Sequence, residues 1–201
     1  MKFTTLVTPL LLSGLAVADD VQSKPFKLVL SSTNKDIDGK ILDACHSGAA
    51  IEGLCLSNST TSDQYSQYYF NTTAGVASPV QGYEPSGKLV WNLPIQGQSE
   101  SESMQFFYDP STNVAHPLLQ PGFDATYVTF GPDDEMAIFA YVDDTVTPPT
   151  AGKFHAIKQW YACTTYFTGY TYQTLDWVVG DSKAEPQNPS CVKTEVKRVF
   201  V

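Results

Sequence analysis

Basic residues are scarce in this chain. Twelve Lys and Arg stand against 21 Asp and Glu in 201 residues, a formal net charge of −9. No basic stripe offsets the deficit, so a polyanion such as DNA or RNA is repelled on average, and nucleic acid is excluded as a partner. Long apolar runs are missing too. The run from Leu6 to Leu15 is broken by Thr8, Pro9, Ser13 and Gly14, and nothing later approaches the ~18 apolar residues of a membrane-spanning helix. There is no convincing amphipathic helical period, no G-x-S-x-G elbow and no Lys-bearing glycine loop for phosphate. Without a C-x-x-C, and with His46, His116 and His155 scattered, no zinc site is expected. Neither a metal nor another cofactor is read from the chain.

What is present begins with an address. Lys2, the short apolar run and the small-x-small sequence Ala16-Val17-Ala18 form a secretory signal over 1–18, with cleavage before Asp19. Residues 19–201 then make a single secreted domain without a membrane span, extracellular or in a cell wall. Four cysteines, Cys45, Cys55, Cys163 and Cys191, are an even count for an oxidising export route and imply two disulfides. Three pairings exist. Cys45 with Cys55 and Cys163 with Cys191 are favoured because each closes a local loop. Asn58-Ser59-Thr60 and Asn71-Thr72-Thr73 are N-glycosylation sequons in polar, surface-like sequence.

Short turn-bounded runs rich in β-branched and aromatic residues recur along the chain, at 26–30, 41–45, 51–56, 68–71, 88–93, 104–108, 115–119, 127–130, 136–142 and 192–200. Their spacing predicts an all-β fold, an antiparallel sandwich or barrel-like domain of short strands, with a β-trefoil as the alternative. The best-defined unit is a hairpin from Trp160 to Gly180, turning at Thr168-Gly169. A two-residue turn pairs Phe167 with Tyr170 and Trp160 with Trp177. Period-two alternation then puts Trp160, Ala162, Leu175 and Trp177 on a core face. Tyr161, Phe167, Tyr170 and Tyr172 fall on the opposite face, an aromatic strip suited to stacking on sugar rings or to contacting a protein. The bland counterpart is cross-strand pairing that only stabilises the sheet.

Other motifs carry less. Asn34 to Ile41 imitates half a calcium loop, but Cys45 stands where a bidentate Glu is required, and Asp38-Gly39 also serves as a hairpin turn. Asp133-Asp134-Glu135, Asp143-Asp144, Asp176 and Glu52 offer carboxyls for a glycosidase-type pair, although acids in Gly/Pro-bounded turns more often serve as turn acceptors. His46 and Ser47 are neighbours in sequence and therefore point to opposite faces of a strand, so His46 and His116 read as hydrogen-bonded structural residues.

The strings ACHSGAAIEGLCL and GKLVWNLP, with the C-terminal W-x-x-C, GYTYQTLDWVVG and NPSCVKTEVKRVF, resemble a group of small secreted filamentous-fungal proteins. Its members are mostly uncharacterised and sometimes labelled IgE-binding or allergen-like. The resemblance covers nearly the whole mature chain. It implies an ascomycete extracellular or wall protein with two disulfides, and it transfers no catalytic residue. Function is therefore expected to be non-enzymatic binding of a glycan or protein partner through the hairpin. The alternatives are a polysaccharide hydrolase using acids between Asp133 and Asp144, or a structural wall constituent.

Overall fold

The structure is a computed structural model that describes residues 20–57, 64–122, 124–180 and 183–201. The signal segment, its cleavage site and the Asn58 sequon lie outside the described residues. Fifteen strands account for most of the rest. They are β1 (Asp20–Gln22), β2 (Phe26–Ser31), β3 (Ile41–Gly48), β4 (Ile51–Ser57), β5 (Tyr68–Thr73), β6 (Gly87–Ile95), β7 (Gln98–Phe107) and β8 (Val114–Gln120). After these come β9 (Tyr127–Phe130), β10 (Met136–Asp143), β11 (Thr150–Ile157), β12 (Trp160–Phe167), β13 (Tyr170–Val178), β14 (Val192–Lys193) and β15 (Glu195–Phe200).

All strand pairings are antiparallel, and they close on themselves. β2 pairs with β3, β3 with β4, β4 with β8, β8 with β7, β7 with β6, β6 with β5, and β5 returns to β2. The result is the barrel-like all-β arrangement expected of short alternating strands, with a ring closure in place of trefoil symmetry. Closure leaves the ring strands without free edges. β13 joins the ring where β4 and β8 part, pairing Thr174 with Cys55 and Trp177 with Ala115, and it carries β12 on its far side.

The ring's inner face is the main core. Phe26, Leu28 and Leu30 alternate inward from β2, and Leu89, Trp91 and Met104 from β6 and β7. The hairpin contributes Trp160, Ala162, Leu175 and Trp177. Trp160 packs edge-on against Trp177 at 4.8 Å and donates its indole N–H to the Met136 carbonyl at 2.9 Å, so its one polar atom is satisfied inside the core. Arg198 plugs one side, its guanidinium 4.3 Å from the Phe130 ring and hydrogen-bonded to Asp134 and Glu84.

Besides the short β1, outside every expected run, three elements depart from the sequence expectation. Polar Gln98 to Ser103 belongs to a strand, because a two-residue turn at Gln96-Gly97, both at positive φ, folds it onto β6. β11 is also a strand, although exposed along most of its length; pairing with β10 sets it, not burial. The closing run 192–200 breaks at Thr194, where the chain leaves β12 and joins β2.

Candidate functional site

The hairpin has the register expected from alternation: Trp160 opposite Trp177, Ala162 opposite Leu175 and Phe167 opposite Tyr170. Thr168 and Gly169 both have positive φ, 50° and 103°, as the twist of a two-residue hairpin turn demands. The Thr168 hydroxyl donates to the Ser47 carbonyl, which ties the tip to the end of β3.

The aromatic strip does face away from the main core, but it is not uniformly open. Tyr161 is only 7 % exposed, packed in a second cluster with Val114, Cys163 and Val178 beneath Ala184 and Cys191. Burial pushes its phenol up. The Cys163–Cys191 disulfide anchors the covering segment there, so Tyr161 is a packing residue and leaves the open surface. Phe167, Tyr170 and Tyr172 remain half-buried. The rings of Tyr170 and Tyr172 lie near-parallel with centroids 5.7 Å apart, and His46 meets Tyr170 edge-on at 5.4 Å. Phe167 packs on exposed Phe107 at 5.1 Å and covers the ring of His116 at 5.8 Å.

Beneath these rings runs a polar chain. His116 Nδ1 lies 2.7 Å from an oxygen of Asp176, a carboxyl with no solvent exposure. Thr174 donates its hydroxyl to the other Asp176 oxygen at 2.8 Å, and Thr165 meets Thr174 at 2.6 Å. Burial raises the Asp176 pKa, while the bond and charge of His116 and the Thr174 hydroxyl pull it down. The Nε2 side of His116 faces Gly53: a β-carbon there would lie 3.5 Å from it, 3.3 Å from Ser47 Oγ and 3.4 Å from Cys45 Sγ. Ser47 is 1 % exposed and donates to the Cys45 carbonyl at 3.2 Å, so its hydroxyl is not aligned on the imidazole.

A model of the domain of unknown function DUF7907 matches residues 23–200. The chain belongs to that family. No curated protein and no solved structure matches it. Family membership assigns no chemistry, and the candidate surface of this DUF7907 domain is the aromatic tip with its His116–Asp176 support.

The acids proposed for catalysis are placed differently. Asp134 binds Arg198 Nε at 2.7 Å, and Glu135 is held below the usual carboxylate range chiefly by its hydrogen bond from Lys158. Asp143 accepts from the Thr145 hydroxyl and N–H at 2.6 and 3.1 Å, the turn-acceptor role. It lines an open groove of about 940 Å³ beside Asp144 and Lys153. In the calcium-like stretch, Asn34 and Asp38 turn their oxygens onto the N–H groups of Asp36 and Ser32. Asn71 accepts from Gln22 at 3.1 Å on half-buried β5.

Glu52, named from sequence, is buried at 6 % exposure against Glu102, which has none. Glu52 Oε2 and both Glu102 oxygens lack a donor among the described residues. The two carboxyls can bond each other only when one is protonated, and the Glu102 pKa is accordingly pushed up to about 9. Burial is the leading cause, then the bond to Glu52, then the charges of Glu52 and Glu100. Glycosidic chemistry needs carboxyls that a sugar can reach, and a fully buried Glu102 is not one. Glu102 and the His116–Asp176 link both escape sequence reasoning. The alternation Glu100-x-Glu102 next to Met104 is the one hint that an acid points inward.

Proposed function

We propose that this protein is a secreted, fungal-type extracellular or wall-associated protein that binds a neutral glycan on the half-buried outer-face rings of Phe167, Tyr170 and Tyr172. One observation carries the reading: these rings gather at one hairpin tip, Tyr170 stacked on Tyr172 and its cross-strand partner Phe167 packed on Phe107, above the buried His116–Asp176–Thr174 chain. Sugar C–H faces stack on such rings, and the imidazole of His46 and the tyrosine hydroxyls supply hydrogen bonds at the margin. The acidic net charge disfavours anionic polysaccharides and leaves neutral ones. Two disulfides, Cys45–Cys55 and Cys163–Cys191, suit an extracellular setting, and N-glycans at Asn58 and Asn71 belong to the same reading.

The test is a retention screen of the purified protein on insoluble neutral and anionic polysaccharides, with reducing ends assayed in parallel. Retention on a neutral polymer without release of reducing ends is expected. Release of reducing ends would replace binding by hydrolysis, and uniform failure to bind would remove the proposal.

A further inference from the structure

Away from the hairpin tip, the ring carries a recess whose lining holds no charge. β5 pairs with β6 only as far as Tyr68 opposite Trp91, and before Tyr68 the chain forms a 3-10 turn, Gln64–Ser66, in place of more strand. The Trp91 indole N–H donates to the Gln64 carbonyl at 2.8 Å and holds that turn against β6. Trp91 and Glu102 are buried on the inner side, so their strand neighbours fall on the outer face: Asn92 and Pro94 of β6, with Ser99 of β7 opposite Pro94. Tyr69, next to inward Tyr68, joins them from β5, diagonal to Asn92. Together with Gln64 and Gln98 these residues line a recess of about 400 Å³.

We propose that this recess is a second carbohydrate site, one that takes a neutral mono- or disaccharide and is distinct from the hairpin rings. Its volume lies at the small end of the roughly 300–1,000 Å³ of small-molecule sites, which suits one or two sugar rings and not a polymer segment. No lining residue is charged, although the chain carries −9, so an ionic ligand finds no counter-charge there. The side-chain amides of Gln64, Asn92 and Gln98 have no hydrogen-bond partner among the described residues. Each carboxamide offers donors and an acceptor, the combination that adjacent sugar hydroxyls pair with, while Tyr69 and Pro94 supply apolar surface for the C–H face of the ring.

Position separates the two sites. Ser99 and Phe107, the residue that packs on Phe167 at the hairpin tip, stand at opposite ends of β7, roughly 25 Å apart along the strand. Each hydrogen bond to the sugar replaces one to water, so the net gain is small and the recess binds weakly. It does not hold the protein on an insoluble polymer without the hairpin rings. Where both sites are filled the protein is bivalent, and the recess adds to retention through effective concentration.

The experiment titrates the folded, isotope-labelled secreted protein with cellobiose, laminaribiose, mannobiose and diacetylchitobiose, and follows the side-chain amide resonances of Gln64, Asn92 and Gln98. At least one disaccharide shifts them saturably, at low and high salt alike. Asn92→Ala and Tyr69→Ala each weaken that binding about fivefold or more. Tyr170→Ala with Tyr172→Ala leaves it unchanged, so failure of the hairpin reading and failure of this one are told apart. Should Tyr69→Ala fail to fold, Gln64→Ala, at an exposed turn position, takes its place. No saturable shift with any of these sugars, shifts confined to the hairpin, unchanged affinity in Asn92→Ala, loss of the response in the double tyrosine variant, or an equal response to tetraglycine would overturn the proposal.

Discussion

Replacing Glu102 by Gln should make this protein more stable at neutral pH, although the residue is fully buried in the ring. A carboxyl whose folded pKa lies near 9, against an ordinary value of 4.5, must take up a proton when the chain folds at pH 7. Its contribution is fully present below the unfolded value and is lost as pH rises toward about 9. At about 1.4 kcal/mol per pH unit, the cost at pH 7 comes to about 3 kcal/mol. Glutamine has nearly the same shape, carries no proton to lose, and can donate its amide N–H to the Glu52 carboxylate. Urea midpoints measured from pH 4 to pH 9 should fall steadily for the parent from about pH 5 upward and much less for Glu102→Gln. The two proteins should be close at pH 4, with the variant ahead by up to about 3 kcal/mol at pH 7. Parallel curves, or a variant weaker at every pH, would show that the pair does not share a proton and that Glu102 is held as an anion.

Two further outcomes test the packing account. Gly87→Ala places a β-carbon 2.5 Å from the Asn71 carbonyl oxygen and 2.8 Å from the Phe70 ring, and should cost at least about 2 kcal/mol of stability by urea denaturation. Arg198→Ala removes the cation between Phe130 and Phe200 together with its bonds to Asp134 and Glu84; about 2–3 kcal/mol should be lost, readable in the same assay.

Local pattern is what sequence carries well here. The hairpin's register, its turn and its core face follow from alternation of Trp160, Ala162, Leu175 and Trp177 about a Thr-Gly pair, because a half-buried strand has period two whatever surrounds it. What covers the second face depends on chain far away. Tyr161 is sealed by the segment around Ala184 and Cys191, and His116 reaches Asp176 across a 60-residue separation through the β8–β13 pairing. Neither contact leaves a local trace. Glu102 is hidden for a different reason: an acid in a Ser/Glu-rich stretch reads as solvated, and only closure of the ring brings Glu52 to it. The polar half of β7 and the exposed β11 have no apolar alternation, so pairing alone makes them strands.

The most direct test of the binding account compares two kinds of truncation on the same hairpin. Tyr170→Ala with Tyr172→Ala removes half-buried rings from the outer face, each worth roughly 0.2–1 kcal/mol as a cross-strand contact. Trp177→Ala empties a core position packed against Trp160 and Phe106 and should cost about 3–5 kcal/mol. If the outer rings bind a glycan, the double tyrosine variant should lose retention on the polysaccharide that holds the parent protein, while its unfolding midpoint falls only modestly compared with that of Trp177→Ala. Unchanged retention in a folded double variant, or tyrosine changes that unfold the protein as badly as the tryptophan change, would contradict the claim that the strip is a binding surface.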